Sequence, residues 1–148
     1  MKKAKSLPKS FERKWSATPY LHNDRFITNG HFLVPRFLVK EDYKYCPPLE
    51  VAKRDDIDRV VPSEETARFV YVKTNRLFDY GDFYVREFEC KEHFSEEARK
   101  AYLNEDYVKF FEIEKINGSN QLNPFVCLLT NVVIMPCRDP QTMKEGKK

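Results

Sequence analysis

Asn29-Gly30 stands between two apolar runs, Phe26-Ile27-Thr28 and His31-Phe32-Leu33-Val34, and no other local feature constrains the fold as much. Asn and Gly tolerate the positive φ angles of a type I′ turn, so the spacing predicts a β-hairpin. Pro35 limits how the second strand pairs, and Phe37 to Val39 can continue it past a bulge or along an edge.

A second β signal begins at Ala67. Phe69, Tyr71 and Lys73 alternate with Val70 and Val72, and Leu77-Phe78 and Phe83 to Cys90 extend the pattern around a turn at Tyr80-Gly81-Asp82. This region reads as a meander. Ser95, followed by Glu96 and Glu97, is a helix start with acids at the positive end of the dipole. Asn104 is another, with Tyr107, Val108, Phe110 and Phe111 as an apolar stripe running on to Glu114. One bent helix and two short ones fit equally. Beyond the Gly118-Ser119-Asn120 turn, Phe125 to Leu129 and Val132 to Met135 read as two buried strands joined by Thr130-Asn131.

Nearer the N-terminus, Pro8 to Thr18 reads as a helix with proline in its first turn. Phe11 and Trp15 share one face, and Lys9, Arg13 and Lys14 fall largely off it. Residues 40–66 carry Pro47-Pro48, Pro62 and a charged stretch with few apolar anchors, and they read as a long connection. The expected organisation is one domain over residues 1–148, with a basic arm at 1–7 and a tail at 139–148. With 148 residues, 41% of them hydrophobic, the chain can bury a core without staples. No apolar run reaches the roughly 18–20 residues that a membrane helix needs, and no apolar signal region follows the basic start, so the expected location is the cytoplasm. The four cysteines form no CxxC pair and are expected as reduced thiols.

Charge is unevenly spread. Residues 1–14 hold six bases against one acid, and residues 138–148 four bases against two acids, so a net +3 chain has an acidic body between basic ends. Such ends either meet an acidic partner, DNA included, or serve as solvated termini. Lys9, Arg13, Lys14 and Trp15 combine phosphate-contacting charge with a flat ring, the parts of a DNA-binding surface. Trp15 is more simply read as a core anchor.

Four glycines leave no phosphate-binding loop, and GxSxG and HExxH do not occur. Cys90-x-x-His93 has metal-ligand spacing but needs two more ligands. Asp55, Asp56 and Asp58, and Asp79 with Asp82, would have to cluster around a divalent ion to make a nuclease, and they are read more simply as turn chemistry or solvated charge. No metal, no cofactor and no enzymatic activity are expected.

Two stretches carry a family resemblance. Phe26 to Leu33 is similar to the strand, turn and strand of a bacterial DNA sliding clamp domain, with Asn29 where clamps usually have Asp. Asn104 to Phe111 resembles the clamp helix that begins with Asn, and Asn123 to Cys127 followed by Val132 to Arg138 resembles its last two strands. Small phage and prophage proteins share this order of motifs. The resemblance implies an α+β fold, a single clamp-like domain in which two to three helices pack on one face of an antiparallel sheet. It also implies an accessory protein that binds DNA or a replication or repair protein, with Met135, Pro136 and Arg138 beside a partner pocket, and assembly with further copies as one route to a ring. The alternative is a protein-interaction module or host-factor inhibitor that uses the fold only as a scaffold.

Overall fold

The structure is a computed structural model and describes residues 20–22, 26–28, 31–38, 67–119 and 123–137. Among the described residues nine strands form one sheet: β1 (Tyr20–His22), β2 (Phe26–Thr28), β3 (Phe32–Pro35), β4 (Phe69–Asp79), β5 (Tyr84–Glu89), β6 (Lys100–Asn104), β7 (Lys115–Gly118), β8 (Phe125–Cys127) and β9 (Val132–Ile134). Their order across the sheet is β1-β2-β3-β9-β8-β7-β4-β5-β6, and every neighbouring pair is antiparallel. Past β9 the Cys137 amide donates to the Tyr102 carbonyl of β6 at 2.7 Å, so the sheet curls until the continuation of β9 meets the β6 edge.

The expected α+β layout is therefore corrected. Among the described residues there is one α-helix, α1 (Glu105–Phe110), of six residues, and the fold is mainly β. The helix expected at Ser95 is a single 3-10 turn, Glu97–Arg99, because the next residues, Lys100–Asn104, are taken up as β6 along the edge of β5. The helix expected at Asn104 forms, and the Asn104 Oδ1 accepts the Asp106 amide at 2.9 Å as its cap. It stops at Phe110 instead of running to Glu114. Glu112 adopts φ 52°, its amide donates to the Lys109 carbonyl, and the Ile113 amide donates back to the Val108 carbonyl at 2.9 Å. Those two bonds make a Schellman ending, with Glu where glycine is the usual residue. The predicted helix at 8–18 and the connection at 40–66 lie outside the described residues.

Turn chemistry explains the hairpins. Between β4 and β5, Gly81 has φ 92°, its amide donates to Asp79 Oδ1 at 2.7 Å, and the Tyr80 amide donates to the Phe83 carbonyl at 3.0 Å. A glycine with positive φ at the first central position is the arrangement of a type II′ turn. β2 and β3 pair as the Asn29-Gly30 signal predicts, but Thr28 faces Leu33, two residues beyond the register of a two-residue loop. Two contacts favour the longer connection: the Thr28 hydroxyl donates to the Phe32 carbonyl at 2.6 Å, and β3 is also held by β9 through Phe32–Ile134 and Leu33–Val133.

One face of the sheet holds the main core: Ile27, Phe32 and Val34, then Tyr71, Phe88, Leu103, Ile116, Phe125 and Ile134. α1 closes it with Tyr107 and Phe111, whose rings meet Phe32 edge-on at 5.1 and 5.4 Å. β4 has 11 residues and bends near its middle, where the register against β5 shifts between Lys73 and Leu77. Groups freed by the shift are taken up locally. The Thr74 hydroxyl accepts the Arg76 amide at 3.2 Å, and the Thr74 carbonyl accepts from Arg86 at 3.2 Å.

Candidate functional site

Cys90 and His93 are both built into the fold. His93, of the expected Cys90/His93 pair, is buried with both nitrogens engaged: Nδ1 accepts the Ser95 amide at 3.1 Å, and Nε2 lies 2.7 Å from the Ser119 carbonyl. Those partners assign the neutral tautomer with the proton on Nε2, which leaves neither nitrogen for a metal. Cys90 and Cys127 are buried free thiols and Cys137 is a half-buried one. No group of three or more His, Cys, Asp or Glu side chains suited to a metal ion occurs among the described residues. Asp79 caps its own turn; Asp55, Asp56 and Asp58 lie outside the described residues.

Two acids are buried as ion pairs. Glu87, on the outer face of β5, lies under Arg76 of β4 at 3.3 Å and Lys100 of β6 at 3.1 Å. Lys100 also donates to Glu89 at 2.6 Å, and that bond holds the Glu89 carboxyl below the usual carboxylate range and raises the Lys100 ammonium. On the inner face Arg86 grips Glu105, the first residue of α1.

Tyr71 is the buried acid with the largest perturbation. Its hydroxyl donates to the Ala98 carbonyl at 2.5 Å, and desolvation by burial, followed by the electrostatic effect of the neighbouring Cys90, pushes its pKa up from 10.0 to about 12. A raised pKa of this kind contributes stability that is complete below pH 10 and is lost as the pH climbs toward 12, because the unfolded phenol ionises first. Tyr71→Phe should therefore cost about 1–3 kcal/mol at neutral pH, by leaving the Ala98 carbonyl unpaired. It should also flatten the alkaline loss; urea unfolding at neutral pH and across that window reads both effects.

Three of the apolar residues that the fold leaves exposed, Leu128, Leu129 and Phe37, lie at one end of the sheet. Cys127 and Val132 are the last paired residues of the β8–β9 hairpin, and the turn between them is Leu128-Leu129-Thr130-Asn131. Asn131 takes φ 60°, a conformation Asn tolerates, and its amide donates to the Cys127 carbonyl at 2.7 Å. Leu128 is 59% exposed and Leu129 97%. The predicted strand Phe125 to Leu129 is thus corrected: it ends at Cys127, and the two leucines form the outer part of the turn. Because β3 faces β9 through Phe32–Ile134 and Leu33–Val133, Pro35 leaves the sheet at the level of this turn. A 3-10 turn, Arg36–Leu38, follows and carries Phe37, which is 74% exposed. Lys115 of β7 and the Lys73–Glu114 ion pair, at 3.0 Å, give the same end of the sheet a charged border. Beside the leucines, the buried Thr130 hydroxyl has no hydrogen-bond partner.

The residues singled out from sequence lie elsewhere. Met135 and Pro136 follow β9 at the end opposite the turn, where the Met135 amide donates to the His31 carbonyl at 2.9 Å and the chain crosses to β6. Met135 is at the margin of exposure and Pro136 is half-buried. Lys9, Arg13, Lys14, Trp15 and Arg138 lie outside the described residues. Sequence reasoning missed Leu128, Leu129 and Phe37; the signal for the leucines was Asn131, which marks the last position of a four-residue turn as readily as the second of a short one.

No protein family, curated protein or solved structure matches the chain. No helix among the described residues is long and apolar enough to cross a membrane.

Proposed function

We propose that the protein is a non-enzymatic binding module that inserts the β8–β9 turn into an apolar pocket of a partner protein. One observation carries this reading: Leu129 is 97% exposed at the tip of a hairpin whose strand residues are all buried. Exposed singly, a leucine needs no explanation, but Leu128, Leu129 and Phe37 crop out at one end of the sheet with charge at their border. An apolar centre with a polar rim is the anatomy of a protein-binding surface. Because the tip is convex, its complement is a pocket, and each leucine it buries contributes about 1.5–3 kcal/mol. A replication or repair protein is the partner class that the sequence resemblance proposes.

The double variant Leu128→Ser/Leu129→Ser tests the reading. Both side chains are exposed, so its stability should stay within about 0.5 kcal/mol of wild type. In affinity capture from extract, at least one protein held by wild type should be missing from the variant. Capture that does not depend on the two leucines overturns the reading. So does sedimentation showing a wild-type oligomer that the variant breaks, which would seat the tip on a second copy of this chain.

A further inference from the structure

We propose that the outer edge of β6 takes up residues 138–140, the start of the chain's own C-terminal segment, as a further antiparallel strand. In the β5–β6 ladder the Cys90 amide donates to the Arg99 carbonyl at 2.7 Å, and the register runs from Glu89–Lys100 to Val85–Asn104. Antiparallel ladders alternate, so Arg99, Ala101 and Leu103 turn their backbone groups toward β5, and Lys100 and Tyr102 turn theirs outward. The bond from the Cys137 amide to the outward Tyr102 carbonyl agrees with this and begins a second ladder on that edge. Beyond it, the amide and carbonyl of Lys100 have no backbone partner among the described residues. The described residues end at Cys137 with their direction already set. Five antiparallel steps lead from β9 through β8, β7, β4 and β5 to β6, so the continuation of β9 runs opposite to β6.

The residues that follow suit the register. Cys137 stands opposite Tyr102, and its side chain packs with Tyr102, Phe78 and Val85, as that pairing requires. Arg138 then falls opposite Ala101 and Asp139 opposite Lys100, the next pair to exchange hydrogen bonds. Asp139 meets an opposite charge there: the Lys100 ammonium donates to Glu87 at 3.1 Å and to Glu89 at 2.6 Å, and an ammonium has a third donor to give. Ala101 has the smallest side chain in β6, and a long arginine stem can cover apolar surface while its head reaches water. Pro140 comes next, with its nitrogen turned away from β6. An amide is not needed at that position, so proline costs the ladder nothing and offers no donor to another chain along the new edge. The β6 strand of a second copy is a poorer occupant, because the Tyr102 carbonyl is already engaged.

Amide hydrogen exchange in the full chain, followed residue by residue by NMR, is the test. In wild type the Lys100 and Asp139 amides should both exchange slowly. Asp139→Pro removes the donor that faces β6 and should speed exchange at Lys100 about tenfold. Arg138→Pro removes an amide that faces outward and should leave Lys100 as protected as in wild type. The Ala101 and Leu103 amides, which face β5, should stay slow in every chain and report that the sheet is intact. The proposal is overturned if either Lys100 or Asp139 exchanges in wild type at the rate of an unstructured amide, or if the two proline variants act alike. It also falls if protection at Lys100 fades on dilution while sedimentation shows a dimer coming apart, which would seat a second copy on the edge.

Discussion

Glu105→Leu is expected to destabilise the fold by about 3–5 kcal/mol, and adding Arg86→Met is expected to recover most of that loss. Arg86 points from β5 toward the core face, directly across from Leu77 of β4 and Leu103 of β6, both buried. Its Nε lies 3.2 and 3.1 Å from the two Glu105 carboxylate oxygens, a terminal nitrogen also meets Oε2, and the other reaches the Thr74 carbonyl at 3.2 Å. The side chains are 17% and 2% exposed, so this pair is largely withdrawn from water. With the carboxylate gone, the guanidinium keeps one carbonyl among apolar neighbours, and an unpaired buried charge costs far more than a paired one contributes. Glu105 also faces the positive end of α1, which adds about 0.3–1 kcal/mol to its removal. In the double variant both charges are replaced by apolar side chains of similar length, and the desolvation penalty disappears with them. Urea unfolding of wild type, both single variants and the double variant measures the coupling. A single variant within about 1 kcal/mol of wild type, or a double variant no better than Glu105→Leu, would show that the pair is solvated and refute the account.

What could be read from the sequence divides along the range of the contacts involved. The meander turn at Gly81, the Asn104 cap and the β2–β3 hairpin follow from residues within a few positions of one another. The β6 strand does not. Its sequence, Lys100–Asn104, follows a good helix start, and it is drawn into the sheet by pairing with β5, while Tyr71, 27 positions earlier, holds the Ala98 carbonyl just before it. Local propensity yields to that packing. The end of α1 was hidden for another reason: Glu112 occupies the left-handed position that glycine would have announced. At the candidate sites, Leu128-Leu129 after a buried run reads as more strand, and only the pairing of Cys127 with Val132 shows that the run has ended. His93, expected only as a surface residue beside a strand-end cysteine, is instead buried with both imidazole nitrogens bonded within the fold, to partners 2 and 26 positions away.

Gly118→Ala should lower stability by about 2–3 kcal/mol, although a simple view of the backbone predicts the opposite. Gly118 is extended strand without a positive φ, so alanine would fit the backbone and, by narrowing the unfolded ensemble, stabilise by about 0.4–1 kcal/mol. Sterics decide against it. A Cβ at this position would lie 2.3 Å from Cδ1 and 2.5 Å from Cε1 of Phe125, whose ring occupies the space a side chain would take. Phe125 cannot swing away, because it is fully buried and meets the Tyr71 ring edge-on at 5.1 Å. Shrinking that ring should relieve the clash, so Phe125→Leu is expected to cost less in the Gly118→Ala background than alone. Denaturant midpoints of the four chains test this, and an alanine variant as stable as wild type would refute it. The same contact bears on function. β7 and β8 are matched at the single pair Asn117–Val126, next to Gly118 and Phe125, and β8 is one arm of the hairpin that presents Leu128 and Leu129. Gly118→Ala should therefore weaken capture of the leucine-dependent partner as well, by loosening the stem of an element whose tip it does not touch.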